Sequence, residues 1–268
     1  MSNLAEKAAR NLNLVRKKKP LIHNITNLVV MNVTANALLS IGASPVMAHA
    51  KNEVREMVTL AGALVLNIGT LSDEWVASML MAGEKASELN IPVILDPVGS
   101  GATAFRTTSA QKLIAKIKIR VIRGNPSEVL SLGHEDSKTK GVDSLHTVDD
   151  AAITAKILAQ QLKTTLAVTG PTDLVTDGGR IFRILNGHPL MGCITGSGCM
   201  ATAIIAAFLA VDEDAVIASA TALSFFGLAG EIAGIESIGP GTFMVRLLDA
   251  LYNITPEVLE KGARIIES

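Results

Sequence analysis

Cysteine is nearly absent from this chain. Only Cys193 and Cys199 occur among 268 residues, too few for a disulfide framework, and no Cys or His pair stands at zinc-ligand spacing. Charge is scarce too: Asp, Glu, Lys and Arg together make 18%, below the roughly one quarter usual in globular chains. The 24 basic and 25 acidic residues nearly cancel and the pI is near 6.5, so no long-range field draws nucleic acid or anionic lipid. The N-terminal "MSNLAEKAARNLNLVRKKKP" lacks the apolar core of a signal peptide. The longest apolar run, read at about residues 199–211, is too short to cross a bilayer. These absences leave a chain with no nucleic-acid and no membrane partner, expected in the cytoplasm.

Apolar residues are plentiful, at 49%. A chain this long buries roughly 75% of its unfolded surface, so it needs no staples. Low charge with high apolar content fits surface buried between subunits as well as a large core. Leu4, Ala8, Leu12 and Val15 recur at helical spacing and predict an amphipathic N-terminal helix ending in Lys17, Lys18 and Lys19, a solvated basic end at the favourable pole of its dipole.

Short β-type runs alternate with helical stretches. "PLIHN" (20–24), "LVLNIG" (64–69), "PVILDP" (92–97), "RVIRGN" (120–125) and "TLAVTG" (165–170) read as buried strands. The intervening segments have helical periodicity, which predicts a central, mainly parallel sheet flanked by helices. Asp177-Gly178 is a hairpin signal, predicting an antiparallel edge hairpin. After residue 199 the pattern reads as helical to the end, broken at 237–243. No linker or repeat divides the chain, so one domain over 1–268 is expected.

Each apolar run ends in polar groups: His23-Asn24, Asn67 with Gly69, Asp96, Arg123 with Asn125, and Thr169-Gly170. Ligands of open parallel sheets bind beyond the carboxyl ends of the strands. One such residue is an ordinary cap; five delivered together favour a site. Asp96 and Glu128 are hard oxygen ligands of the kind Mg²⁺ takes in ones and twos beside phosphates. Glu128, three residues after Asn125, also reads as a first-turn acid if a helix starts at Pro126.

The run "TGSGCMATA" (195–203) is a Gly-rich turn opening into an apolar helix, an arrangement that presents N–H groups and positive dipole to an anion. Its position late in the chain is wrong for a dinucleotide fingerprint, and no G-x-x-x-x-G-K-[ST] run occurs. Cys199 has three readings here: a small buried hydrophobe, a nucleophile whose pKa the helix end lowers, or the occupant of a general-base position. None of His23, His49, His134, His146 and His188 is tied to it by a motif.

"HNITNLVVMNVTANALLSIGASPVMA" (23–48), "ILDPVGSGAT" (94–103), "RGNPSE" (123–128), "AVTGPTDLVTDG" (167–178) and "TGSGCMATA" (195–203) together resemble the hydroxyethylthiazole kinases, ribokinase-like enzymes of thiamine salvage. The blocks occur in family order and cover nearly the whole chain. The resemblance implies a ribokinase-like α/β fold and transfer of the γ-phosphoryl of ATP, with Mg²⁺, to the primary alcohol of 4-methyl-5-(2-hydroxyethyl)thiazole. It also implies a homotrimer with active sites at subunit boundaries. It assigns Met47 and Gly196 to the thiazole, Arg123 and Thr169 to ATP, and Asp96 and Glu128 to the metal and phosphates. Cys199 then stands where many ribokinase-like kinases keep a catalytic aspartate, with a thiol pKa expected low at the helix end.

The stretch 27–42 reads as a helix with Asn32 and Asn36 one turn apart and Gly42 as C-cap, followed by a turn that delivers Met47 to the pocket, its thioether suited to a heteroaromatic ring. Rival readings are a kinase of the hydroxymethylpyrimidine half of thiamine, a ribokinase-like dehydratase of nicotinamide nucleotide hydrates, and an idle nucleotide-binding module. The cysteine after TGSG argues against the first two, and the "GASPVM" block argues against the first. Retention of Asp96, Arg123, Asn125 and Glu128 argues against the third.

Overall fold

The computed structural model describes residues 4–133 and 148–268; His134 and His146 lie outside the described residues. The first half runs α1 (Leu4–Lys18), β1 (Leu21–Ile25), α2 (Met31–Ile41), β2 (Ser44–Val46), α3 (Val54–Leu60) and β3 (Ala63–Asn67). It continues through α4 (Asp73–Leu89), β4 (Val93–Asp96), α5 (Ala104–Lys116), β5 (Ile119–Gly124) and α6 (Pro126–Leu130). The second half begins with α7 (Val148–Leu162), β6 (Thr165–Val168), β7 (Asp173–Thr176) and β8 (Ile181–Ile184). A 3-10 turn (Pro189–Cys193), α8 (Ser197–Leu209), α9 (Ala215–Gly234), α10 (Pro240–Asn253), α11 (Pro256–Gly262) and β9 (Ile265–Glu267) complete it.

Among the described residues the sheet has nine strands in the order β2-β1-β3-β4-β5-β6-β7-β8-β9. Pairing is parallel from β2 to β6 and antiparallel from β6 to β9. The expected hairpin is β7–β8. Gly178 takes φ +88 at its turn, and Asp177 Oδ1 accepts the Gly179 and Arg180 N–H groups.

Alternation along each strand explains the three layers. Leu64 and Leu66 of β3 pack with Val54, Val58 and Met79 on the α3–α4 side. Ala63 and Val65 pack with Met200, Ala203 and Ile204 of α8 on the other. Helix α1 buries Ala8, Leu12 and Val15 on that second side, as its periodicity requires. Helix α2 ends at Gly42 with φ +93, as expected.

Three expectations need correction. The tail is not helical to its end, because 265–267 pairs with β8 as an edge strand; three residues are too few to display a period. Residues 44–46 are likewise a short strand rather than a turn, paired with β1 through Leu21↔Ser44 to His23↔Val46, with Pro45 tolerated at the sheet edge. Finally, the longest apolar helix is α9, at 20 residues. It has the length and apolar character to cross a membrane, but 89% of its most apolar stretch is buried inside the fold, where it packs on α8, α10 and β7.

Candidate active site

Parallel register brings the polar strand ends side by side. Asn67 and Asp96, the last residues of β3 and β4, are direct partners. Arg123 of β5 reaches back to Asp96, its Nη1 lying 3.6 Å from Oδ2. Its Nη2 donates to Thr169 Oγ1 just beyond β6, and the Thr169 N–H is held by Gly124 O at 2.9 Å. Asp96 is wholly buried. Oδ2 accepts from Asn67 Nδ2 at 2.9 Å and Thr202 Oγ1 at 2.8 Å, while Oδ1 is buried without a hydrogen-bond partner. Burial pushes this carboxyl above the ordinary range, with Arg123 and Thr202 acting in opposition.

The Gly-rich turn enters the same place from the other side. Gly196, with φ +87, begins α8 as an N-cap with no side chain to offer. A Cβ there would stand 2.9 Å from Val30 Cγ1, and one at Gly198 only 2.5 Å from Arg123 Nη1. Glycine therefore lets the helix start approach both α2 and the guanidinium.

Cys199 follows in the first turn of α8, half-buried. Its sulfur accepts from Asn67 Nδ2 at 3.2 Å and Asn27 Nδ2 at 3.6 Å. The expectation of a lowered thiol pKa is overturned: burial first, then the Asp96 carboxylate, push the thiol up to about 11 despite the two amide donors and Arg123. Loss of hydration outweighs the helix end. Among the described histidines none bonds the sulfur. His23 is held by Ala48 O, His49 stacks on Trp75 and His188 on Phe243. A Cys–His nucleophile pair is thus absent among the described residues.

Glu128 is engaged by the backbone through both oxygens. Oε2 accepts the Asn125 N–H at 2.9 Å while Asn125 Oδ1 accepts the Glu128 N–H at 2.9 Å, a reciprocal cap at the start of α6. Oε1 accepts the Gly99 N–H at 2.9 Å. Glu128 therefore ties the turn after Asp96 to α6, beyond its first-turn role.

A cavity of about 750 Å³ opens beside these groups, lined among others by Arg123, Thr169, Asp173, Met191, Gly198 and Phe226. Burial pushes the Asp173 carboxyl up to about 6 even though it accepts the Gly170 N–H. One wall is the strap 186–192, seated on glycines of α9. A Cβ at Gly227 would lie 2.5 Å from Asn186 O, and one at Gly230 2.5 Å from Met191 Sδ. Asn186 Oδ1 fastens the strap by accepting from Ser224 Oγ and Arg264 N–H, both at 2.8 Å.

The site thus gathers Asp96, Arg123, Thr169, Gly196 and Cys199, with Glu128 one turn behind. Met47 stands apart: it follows β2 at the same end of the sheet, partly exposed, and does not line this cavity.

The profile of the hydroxyethylthiazole kinase family matches residues 12–257. The chain belongs to that family. A hydroxyethylthiazole kinase of Desulfotalea psychrophila is 66% identical over 268 residues, covering 100% of this chain and 98% of the relative. One from Desulfosudis oleivorans is 53% identical over 255 residues, 94% of this chain and 93% of the relative. Among solved structures, a hydroxyethylthiazole kinase protein from Pyrococcus horikoshii superposes with a TM-score of 0.91 at 45% identity, covering 98% of this chain and 99% of that one. A ribokinase-like superfamily protein from Enterococcus faecalis matches at TM-score 0.69 and 14% identity over 98% of this chain and 95% of that one, which speaks for the fold alone. The expected ribokinase-like α/β architecture is therefore the one observed.

Within this kinase family site, sequence reasoning missed Asn27 and Thr202 and gave Asn67 no role. Signals existed for two of them. Thr202 is the only hydroxyl between Met200 and Val211, one helical turn after Gly198, and a lone polar group in an apolar run needs a partner. Asn27 closes the short polar run that begins at His23. The strap left no signal, because its contacts are glycine vacancies on a distant helix.

Proposed function

We propose that this chain transfers the γ-phosphoryl group of ATP to the primary alcohol of 4-methyl-5-(2-hydroxyethyl)thiazole, yielding the thiazole phosphate used in thiamine salvage. The observation that carries the reading is the start of α8: Gly198 lies against Arg123, and Arg123 in turn reaches Asp96. Phosphoryl transfer depends mainly on positioning and on neutralising charge around the phosphates, and this corner supplies both.

Gly196 and Met47 seat the thiazole. Arg123 and Thr169 hold the nucleotide phosphates, with the adjoining cavity taking the rest of the nucleotide. Asp96 fits Mg²⁺, since it keeps a buried oxygen without a hydrogen-bond partner. Glu128, with both oxygens on backbone N–H groups, would serve through its remaining lone pairs. Mg²⁺ takes one or two carboxylates beside phosphates and water. When bound, the ion neutralises charge on the phosphates. Cys199 works as a neutral thiol beside the alcohol rather than as a strong base, since its pKa of about 11 keeps it protonated at neutral pH. The chain acts as one domain in a cytoplasmic homotrimer with active sites at subunit boundaries. Exposed Leu28, Val29, Ile235, Ile238 and Val245 supply apolar surface for such contacts.

The experiment is ATP-to-ADP turnover by purified protein with Mg²⁺, comparing the hydroxyethylthiazole, hydroxymethylpyrimidine and no acceptor. Thiazole-dependent ADP with a phosphorylated thiazole by mass is the expected result. Turnover with the pyrimidine alone moves the substrate, and ATP binding without turnover favours the dehydratase or regulatory reading.

A further inference from the structure

One carboxamide in the site makes more bonds to its neighbours than any strand end needs. Asn67 is buried at the end of β3. Its Oδ1 accepts the Gly69 N–H at 3.0 Å and Asn27 Nδ2 at 2.8 Å. A backbone N–H only donates, so this contact fixes which end of the amide is oxygen. Nδ2 therefore faces the two remaining partners, Asp96 Oδ2 at 2.9 Å and the Cys199 sulfur at 3.2 Å. Both donors and both acceptor sites of one buried side chain are used. Thr202 Oγ1 adds a second donor to the same Asp96 oxygen at 2.8 Å.

We propose that Asn67 is a positioning residue for phosphoryl transfer: its amide holds the Asp96 carboxylate and the Cys199 sulfur in one arrangement and reserves Asp96 Oδ1 for the ligand side. A carboxylate with both oxygens free rotates between equivalent orientations. Here two donors occupy Oδ2, and Oδ1 alone is left buried and unpartnered. The inference rests on the proposed role of Asp96 toward the magnesium–nucleotide complex.

Asn67→Asp tests it, because the side chain keeps its size and its acceptors for Gly69 and Asn27 but exchanges the amide donors for an acid that competes with Asp96 for a proton. Groups that orient a metal-facing carboxylate typically contribute 10–100-fold. The expected result is a kcat lower by about 100-fold, a thiazole KM changed less than about threefold, and a magnesium-dependent gain in ADP affinity, read by calorimetry, cut about tenfold. In an Asp96→Asn background the substitution should add nothing, since residues acting through one group are not additive. Thr202→Val, which removes only the other donor, should move both readouts the same way by a smaller factor, and it decides the matter if Asn67→Asp does not fold. A lowered Tm with kcat and magnesium-dependent ADP affinity intact would overturn the proposal, as would full multiplicative effects of Asn67→Asp and Asp96→Asn. If wild-type protein turns over no thiazole, the kinase reading fails by that result, while the calorimetric comparison still decides the role of Asn67.

Discussion

Two helices begin at this site, and their first turns are built on opposite plans. Helix α6 is closed by its own chain: Asn125 and Glu128 cap each other's N–H groups, and the spare oxygen of Glu128 takes Gly99. Helix α8 starts at Gly196, which has no side chain to cap it, and its second residue lies against Arg123. The first N–H groups of any helix need partners from outside it. The five-residue α6 satisfies them with its own side chains. A thirteen-residue helix aimed at a cation and a buried carboxylate leaves its positive end for an anion. The capped end organises the site; the open end is where a phosphoryl group has both room and reason to sit.

The most damaging change to this contrast gives α8 the cap that α6 has. In Gly196→Asp a carboxylate occupies the helix start, at a backbone strained for any side chain and with its Cβ pressed on Val30, and repels the transferring group. Turnover should fall by on the order of 10³-fold, the scale of losing a main oxyanion-type contact. Gly196→Ala brings the same Cβ toward Val30 without the charge and should retain more activity. Equal losses in the two variants, measured as kcat/KM for ATP, would show that shape and not an open helix end matters.

Gly198→Ala comes next. Alanine suits a helix, and the three atoms nearest the added Cβ belong to the Arg123 guanidinium, but displacing that group leaves the buried Asp96 carboxylate without its cation, so Tm should fall by several degrees. The guanidinium must leave its place beside Asp96 and Thr169, and kcat/KM for ATP should drop by about 100-fold. A Tm loss without the kinetic loss would mean that Arg123 does not contact the nucleotide.

Much of this contrast is legible in the sequence. The polar strand ends are visible because a buried parallel strand is apolar until it reaches the ligand side, and Asn125-Pro126 with Glu128 announces a capped helix. What stays hidden depends on distance in three dimensions. Nothing local tells that Asn67 lies between Asp96 and Cys199, since the three residues come from separate elements. The strands 44–46 and 265–267 are too short to show alternation. The Cys199 pKa runs opposite to the sequence expectation because the helix end is a local signal, whereas desolvation is a property of the whole packing around it.

Cys199 sharpens the comparison by asking how far an open helix end governs chemistry. Alkylation by iodoacetamide follows the thiolate, which forms as pH rises toward the thiol pKa of about 11, so the rate should still be climbing at pH 10. A plateau below pH 8 would mean that the helix end, and not burial, controls the sulfur. As a neutral thiol it is dispensable as a base: Cys199→Ala should keep measurable turnover, within the roughly 10²–10⁴-fold that general-base help is worth. Cys199→Asp should be at least as fast as wild type, because Asn27 and Asn67 already present donors to that position. Complete loss of turnover in Cys199→Ala with ATP binding intact would contradict this.

The smallest effect belongs to the closed end. Asn125→Ala removes the side chain that caps Glu128 N–H but leaves Glu128 bonded to the Asn125 and Gly99 N–H groups. Loss of such a cap costs about 1 kcal/mol, a Tm decrease of roughly 2–4 °C for a chain of this length. Because Glu128 stays held by two backbone N–H groups when the Asn125 side chain is lost, turnover at saturating ATP should stay within about threefold, and Asn125→Ser should restore the Tm through its own hydroxyl. Calorimetric melting beside steady-state kinetics separates the outcomes. If Asn125→Ala instead lowers kcat by 100-fold at unchanged Tm, the capped helix is itself part of the chemistry, and the division between a closed structural end and an open functional end fails.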